Sequence, residues 1–138
     1  MSFHLAIVTP EKTIFSDTVG SVRLPGNDGE MGALEGHAAL VTLIDPGELA
    51  YEKDGKMINL AIGSGFVEVT QEQVNVLTDM ALREEEIDES KAEEALKRAE
   101  EQLASLGHDH DAEEMAALQA TLAKATAQLQ LKRRYRQN

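Results

Sequence analysis

Cysteine is absent from this chain, which rules out disulfides and thiolate chemistry and leaves the redox compartment unmarked. Long apolar runs are also missing. No membrane-spanning helix is therefore expected, and no leader or transit pattern is legible. The expectation is a soluble protein kept on the side of the membrane where it is made. Cations are scarce, with 13 lysines and arginines against 25 acids and a net charge of −12. That excess repels phosphate backbones and argues against a nucleic-acid partner. Catalytic signatures are lacking as well. Gly29, Gly32 and Gly36 do not have the spacing of a phosphate cradle, and no lysine follows them. His37 with Glu30 and Glu35 sketches an acid–base set, but no nucleophile or oxyanion motif accompanies it. The structural reading is preferred: these glycines supply positive φ at bends, and His37 hydrogen-bonds to backbone.

The few cations are unevenly placed. After residue 114 the chain has five bases and no acid, so its end is the one positive region of an acidic protein. Lys132, Arg133, Arg134 and Arg136 surround Tyr135 there. Such a cluster suits a helix C-terminus on its own account. It is also a weak form of a membrane-surface or nucleic-acid tag, or a contact for an acidic protein.

Two hydrophobic periods divide the chain. From Phe3 to about Leu82 the period is two. Phe3, Leu5 and Ile7 share one face of a strand, as do Val22 and Leu24. Asp54-Gly55 between alternating runs is the strongest hairpin signal. A second hairpin is expected about Gln71-Glu72, with Phe66, Val74 and Val76 as burial candidates. Short strands at regular spacing predict an antiparallel, flattened β-sandwich or barrel.

After Arg83 the period becomes helical. The acidic run Glu84–Glu86 is expected to be a solvated linker whose charges suit a helix N-terminus. Ala92, Leu96, Ala99, Leu103 and Leu106 then form a stripe, with Asp88 or Ser90 as N-cap and Gly107 at the end. Glu93–Lys97 and Glu94–Arg98 are spaced for helical ion pairs. A second stripe, Met115, Leu118, Leu122, Ala125 and Leu129, follows a short connector and makes an antiparallel hairpin. His108 and His110 alternate with Asp109 and Asp111 in that connector, where a solvated turn is preferred over a metal site. The domains are thus 1–84, mainly β, and 85–138, helical. The helix–helix seam is mostly alanine, so the hairpin is expected to be detachable from its partner helix and from the sandwich. Physics alone describes an interaction subunit rather than an enzyme.

Five segments, in order, carry a resemblance: "VTPEKTIFSD", "GEMGALEGHAALVTLIDPGEL", "GSGFVEV", "VNVLTDMA" and "IDESKAEEALKRAEEQL". Together the chain resembles the epsilon subunit of the bacterial F-type (rotary) ATP synthase over nearly its whole length. The resemblance implies a non-catalytic rotor subunit on the cytoplasmic face of the bacterial plasma membrane. Its sandwich binds the gamma subunit and the ring of c subunits. Glu30, Met31 and His37 lie on the loop that meets the c-ring, stiffened by glycine bends packed on Leu40, Leu43 and Ile44. Its helices restrain ATP hydrolysis, extending along gamma so that Lys132, Arg133, Arg134 and Arg136 reach the catalytic beta and alpha subunits. In some relatives the hairpin binds ATP. Here Ile87, Asp88, Ala92 and Arg98 match that pattern, but Lys91, Lys124 and Gln128 stand where arginines are usual. Lysine lacks the planar fork that grips phosphate twice, so weak or no ATP binding is expected and no cofactor is required. Neither lipid insertion nor nucleic-acid binding is implied. Two other readings are a free-standing ATP sensor using Lys91 and a small hydrolase using His37 and Glu30.

Overall fold

The computed structural model describes residues 2–26, 29–33, 40–106 and 112–137; side chains are described for these except 26, 29–33, 40, 136 and 137. Ten strands precede two helices among the described residues. The strands are β1 (Phe3–Val8), β2 (Thr13–Val19), β3 (Ser21–Gly26), β4 (Gly29–Ala33) and β5 (Leu40–Ile44). They continue as β6 (Gly47–Lys53), β7 (Lys56–Ile62), β8 (Gly65–Val69), β9 (Gln73–Thr78) and β10 (Ala81–Arg83). A single 3₁₀ turn at Glu84–Glu86 leads into α1 (Glu89–Ser105) and α2 (Ala112–Gln137).

The strands form two five-stranded sheets, ordered β2-β1-β9-β8-β5 and β10-β7-β6-β3-β4. Among the described residues each sheet has two open edges, so the fold is a sandwich and not a closed barrel. Nearly all pairs are antiparallel, but β1 and β9 run parallel, Leu5 opposite Val74 and Ile7 opposite Val76. An all-antiparallel sheet was expected. Pairing of strands this far apart in sequence depends on tertiary packing, which no turn signal encodes.

The alternation that marks the strands is what builds the core. Leu5, Ile7, Leu24, Leu49, Leu60, Ile62, Val67 and Val76 are all buried between the sheets. Each such side chain contributes about 1.5–3 kcal/mol on burial. Asp54 (φ 53°) and Gly55 (φ 79°) both take the left-handed region in the tight turn joining β6 to β7. That geometry matches the twist of the flanking strands. At one edge the sheets are stapled by side chains from β2 and β6. The Phe15 and Tyr51 rings sit 4.4 Å apart, and Lys53 Nζ lies 2.9 Å from Asp17 Oδ2. The Lys53 hydrogen bond holds the Asp17 carboxyl below its ordinary pKa.

Several expectations need correction. Phe66 is not in the core; it is 42% exposed. On β8 the inward phase belongs to Val67 and Val69, because a Phe66-inward phase would turn both valines to solvent. Gly29 and Gly32 are residues of strand β4, laddered to β3, rather than bends. Ile44 is buried and Leu43 is 61% exposed, while the loop expected to pack on them lies outside the described residues. Gly36, His37, Gly107, His108, Asp109, His110 and Asp111 lie outside the described residues.

Candidate interaction surfaces

α1 begins at Asp88, whose carboxylate accepts from the Lys91 backbone N–H at 3.1 Å, so of the two candidate caps Asp88 serves. Among its stripe residues Ala92 and Ala99 are buried. Glu93 does not pair along its own helix. It reaches across to Arg133 Nη2 at 2.7 Å, an interhelical bond between the start of α1 and the end of α2.

α2 carries two apolar stripes where one was legible. Ala125 and Leu129 belong to the expected stripe. Ala127 and Leu131 form another, packed with Ala61, Ile87, Met80 and Leu82 against the sandwich. Buried positions at every second residue (125, 127, 129, 131) are what a helix shows when it is covered on two sides. Small residues make the approach possible. Ala61 on the outward face of β7 is buried in this contact, and Ala50 on the outward face of β6 is buried as well. The seat of the hairpin is therefore stronger than an alanine seam, since Leu131 is fully buried.

Among the described side chains of the positive end of α2, Lys132, Arg133 and Arg134 are all engaged in ion pairs. Lys132 Nζ lies 3.0 Å from Glu84 Oε1 in the linker turn. Arg133 bonds Glu93 and Glu89 of α1. Arg134 grips Glu48 of β6 in a fork, with Nη1–Oε1 at 2.9 Å and a second bond from Nη2 to Oε2. Hydrogen bonding to Glu48 raises the Arg134 guanidinium above its ordinary pKa, and Glu93, with Glu89, does the same for Arg133. The acidic linker is correspondingly not idle: Glu84 takes Lys132, and Glu86 accepts from the Arg83 backbone N–H at 2.9 Å. Higher up α2, Lys124 Nζ meets Asp79 Oδ2 at 2.8 Å, and Gln128 Nε2 contacts Met80 Sδ at 3.3 Å.

These contacts bear on the residues singled out for nucleotide. Lys91 and Arg98 are exposed on α1, whereas Lys124 and Gln128 are turned to the sandwich. Asp88 is engaged in capping. Glu30 and Met31 are placed in β4 by backbone alone, and the Arg136 side chain lies outside the described residues.

The other outer face of the sandwich is unlike the one under α2. Leu43 of β5 stands opposite Phe66 of β8, and Phe66 opposite Leu77 of β9. Directly opposed residues on one face touch, so these side chains make a continuous row across three strands. Val41 extends it along β5. Exposure is 65% for Val41, 61% for Leu43, 42% for Phe66 and 39% for Leu77. Scattered exposed apolar residues are ordinary, whereas a contiguous row marks a contact surface. A cleft beside it is lined by Val8, Pro10, Phe66 and Leu77 among others. The far end of the same face is polar, with Gln73, Asn75 and Glu68 linked by hydrogen bonds. Period-two counting missed the row because a strand with apolar residues on both faces gives no phase to read.

Family models place the chain. The β-sandwich domain of the ATP synthase delta/epsilon chain matches residues 2–84. The long α-helix domain of the same chain matches residues 85–133. The chain belongs to the delta/epsilon-chain family of ATP synthase. It is an epsilon-type subunit of that complex, in a family with no catalytic role of its own. It is 41% identical over 136 residues to an ATP synthase epsilon chain of Polynucleobacter necessarius, covering 98% of this chain and 96% of the relative. An ATP synthase epsilon chain of Chloroflexus aggregans is 39% identical over 131 residues, covering 95% and 92%. Among solved structures it is similar to a chain in the OSCP/F1/c-ring of Euglena gracilis mitochondrial ATP synthase. That similarity has a TM-score of 0.74 at 27% identity and covers 91% of this chain and 78% of that one. A chain in the central stalk and c-ring of Tetrahymena thermophila mitochondrial ATP synthase shares the fold, with a TM-score of 0.67 at 9% identity and coverage of 96% and 97%. No helix among the described residues is long and apolar enough to cross a membrane.

Proposed function

We propose that this epsilon-type subunit works in the rotor of ATP synthase, seated on the gamma shaft through the Val41, Leu43, Phe66 and Leu77 row. One observation carries the reading. Of the two outer faces of the sandwich, one is already occupied by α2, and the other presents an apolar row with no partner within the described residues. A rotor part must be clamped to its shaft, and a row of large apolar side chains rimmed by Glu68, Asn75 and Gln73 has the anatomy of a protein interface. Glu30, Met31 and His37 are assigned to the contact with the polar loops of the c-ring, at the foot of the stalk. Through these contacts the subunit helps couple proton flow to ATP synthesis, from a peripheral position on the cytoplasmic face of the bacterial plasma membrane. It inserts no segment into lipid and binds no nucleic acid.

The hairpin is assigned the restraint of ATP hydrolysis. Once off the sandwich it reaches along gamma to the beta and alpha subunits, with Lys132, Arg133, Arg134 and Arg136 as its cationic tip. No cofactor is required. ATP binds the hairpin weakly or not at all, since Lys124 and Gln128 are engaged with Asp79 and Met80 and Asp88, Lys91 and Arg98 lack the usual arginine partners. Phe66→Asp tests the docking face. Charge at the centre of a buried apolar contact should weaken co-assembly with gamma at least about tenfold while the thermal unfolding of the isolated chain is little changed. Undiminished assembly of a folded Phe66→Asp/Leu77→Asp variant would remove this face from the proposal.

A further inference from the structure

The cations of α2 divide into those that bind the hairpin to itself and those that bind it to the sandwich. Lys132 pairs with Glu84 and Arg133 with Glu89 and Glu93. All of these residues lie beyond β10, which ends at Arg83. A hairpin that lifts away beyond Glu84, the last residue matched to the sandwich domain, takes the Arg133 pairs with it unbroken, while Lys132–Glu84 sits at the hinge itself. Arg134 and Lys124 differ. Their partners, Glu48 on β6 and Asp79 between β9 and β10, belong to the sandwich, so both pairs must break for the hairpin to leave.

We propose that Arg134–Glu48 and Lys124–Asp79 are the electrostatic latch of the seated hairpin, and that both pairs must break before it lifts. The geometry favours this division. The Arg134–Glu48 pair is forked, which demands a planar carboxylate at a fixed angle. Lys124 and Arg134 stand on either side of the Ala127–Leu131 contact along α2, so the two pairs bracket the apolar seat at both ends. The Glu48 side chain is 23% exposed and that of Arg134 47% exposed, wet enough for a competing carboxylate and for salt to reach it. Arg134 therefore has opposite effects at two stages: it holds the hairpin down, and once freed it is a cation available to a partner. Glu48 and Asp79 act only in the seated state. The consequence in the assembled enzyme rests on the regulatory reading given above, but the latch itself does not.

The absence of cysteine from the chain makes the test direct. Ala61 is fully buried beneath α2 on the sandwich, so a thiol at Ala61→Cys is labelled only when the hairpin lifts, at a rate set by the open population. In the full-length protein Glu48→Gln should speed labelling about threefold, and Glu48→Gln with Asp79→Asn about tenfold. Added salt should accelerate the parent and have little effect on that double variant. The exchange Glu48→Arg/Arg134→Glu should restore slow labelling, and Arg133→Gln should leave it unchanged. A second reporter, Ala127→Cys on the helix side of the same contact, guards against local perturbation by the first. Labelling of the Glu48→Gln/Asp79→Asn variant at the parent rate, or equal acceleration by Arg133→Gln, would overturn the latch. Faster labelling with unaltered ATP hydrolysis in the assembled synthase would uphold the latch and remove the hairpin from regulation.

Discussion

Replacing Gly65 with alanine should destabilise the sandwich by about 3 kcal/mol or more, read as a lower urea midpoint. A Cβ at this position would stand 1.9 Å from the Leu77 carbonyl oxygen and 2.9 Å from Thr78 Cα. Both obstacles are backbone, so no side chain can swing aside. Either β8 and β9 part at their paired ends, Gly65 opposite Thr78, or the strand shifts. That strand junction also sets the Phe66–Leu77 contact, so assembly with gamma should fall with stability. Gly55→Ala is the control. Gly55 has φ 79° and nothing within 4 Å of the added atom, so only the left-handed backbone opposes the methyl, at about 1 kcal/mol. A Gly65→Ala chain as stable as the parent would mean that β8 and β9 do not meet this closely.

Leu131→Ala should have the second large effect, and a local one. Leu131 is fully buried between α2 and the sandwich, and truncating a buried leucine removes about 2–5 kcal/mol. The loss falls on the docking of the hairpin rather than on the core between the sheets, which Leu131 does not enter. Even about 3 kcal/mol shifts the seated-to-lifted ratio more than a hundredfold, since each 1.36 kcal/mol is a factor of ten. Amide exchange should then rise across α2 while β1, β8 and β9 keep their protection. Uniform loss of protection across the sandwich would mean that hairpin and sandwich are one cooperative unit, and a detachable hairpin would no longer follow.

The contrast between Leu131 and the ion pairs explains what was legible in the sequence. The strands of the core could be read because Val22 and Leu24 flank Arg23, Val74 and Val76 flank Asn75, and Phe3, Leu5 and Ile7 keep a period of two. The helices could be read because Ala92 to Leu106 and Met115 to Leu129 keep a helical period. Legibility failed wherever an element is covered or apolar on two sides. On α2 the Ala127–Leu131 stripe merges with the first and blurs both. On β8 Phe66 and Val67 are adjacent and both apolar, so the pattern carries no inward phase. The ion pairs were illegible for a different reason. Arg134 and Glu48 are 86 positions apart, and only the fold brings them together. Glu93 has Lys97 at helical spacing but bonds Arg133, 40 positions away. The parallel β1–β9 pair was hidden in the same way.

The central claim is a division of labour between two outer faces, one seating the chain's own helix and the other reserved for the stalk. Hydrogen–deuterium exchange of the full chain, free and assembled with gamma, tests it most directly. β5 is an edge strand, so among the described residues its edge-facing amides have no strand partner in the free chain and should exchange fast. The account predicts new protection at Leu40–Ile44 and at the Phe66 and Leu77 positions of β8 and β9, with little change on β6 and β7. Protection gained on β6 and β7 while β5 stays fast would contradict it.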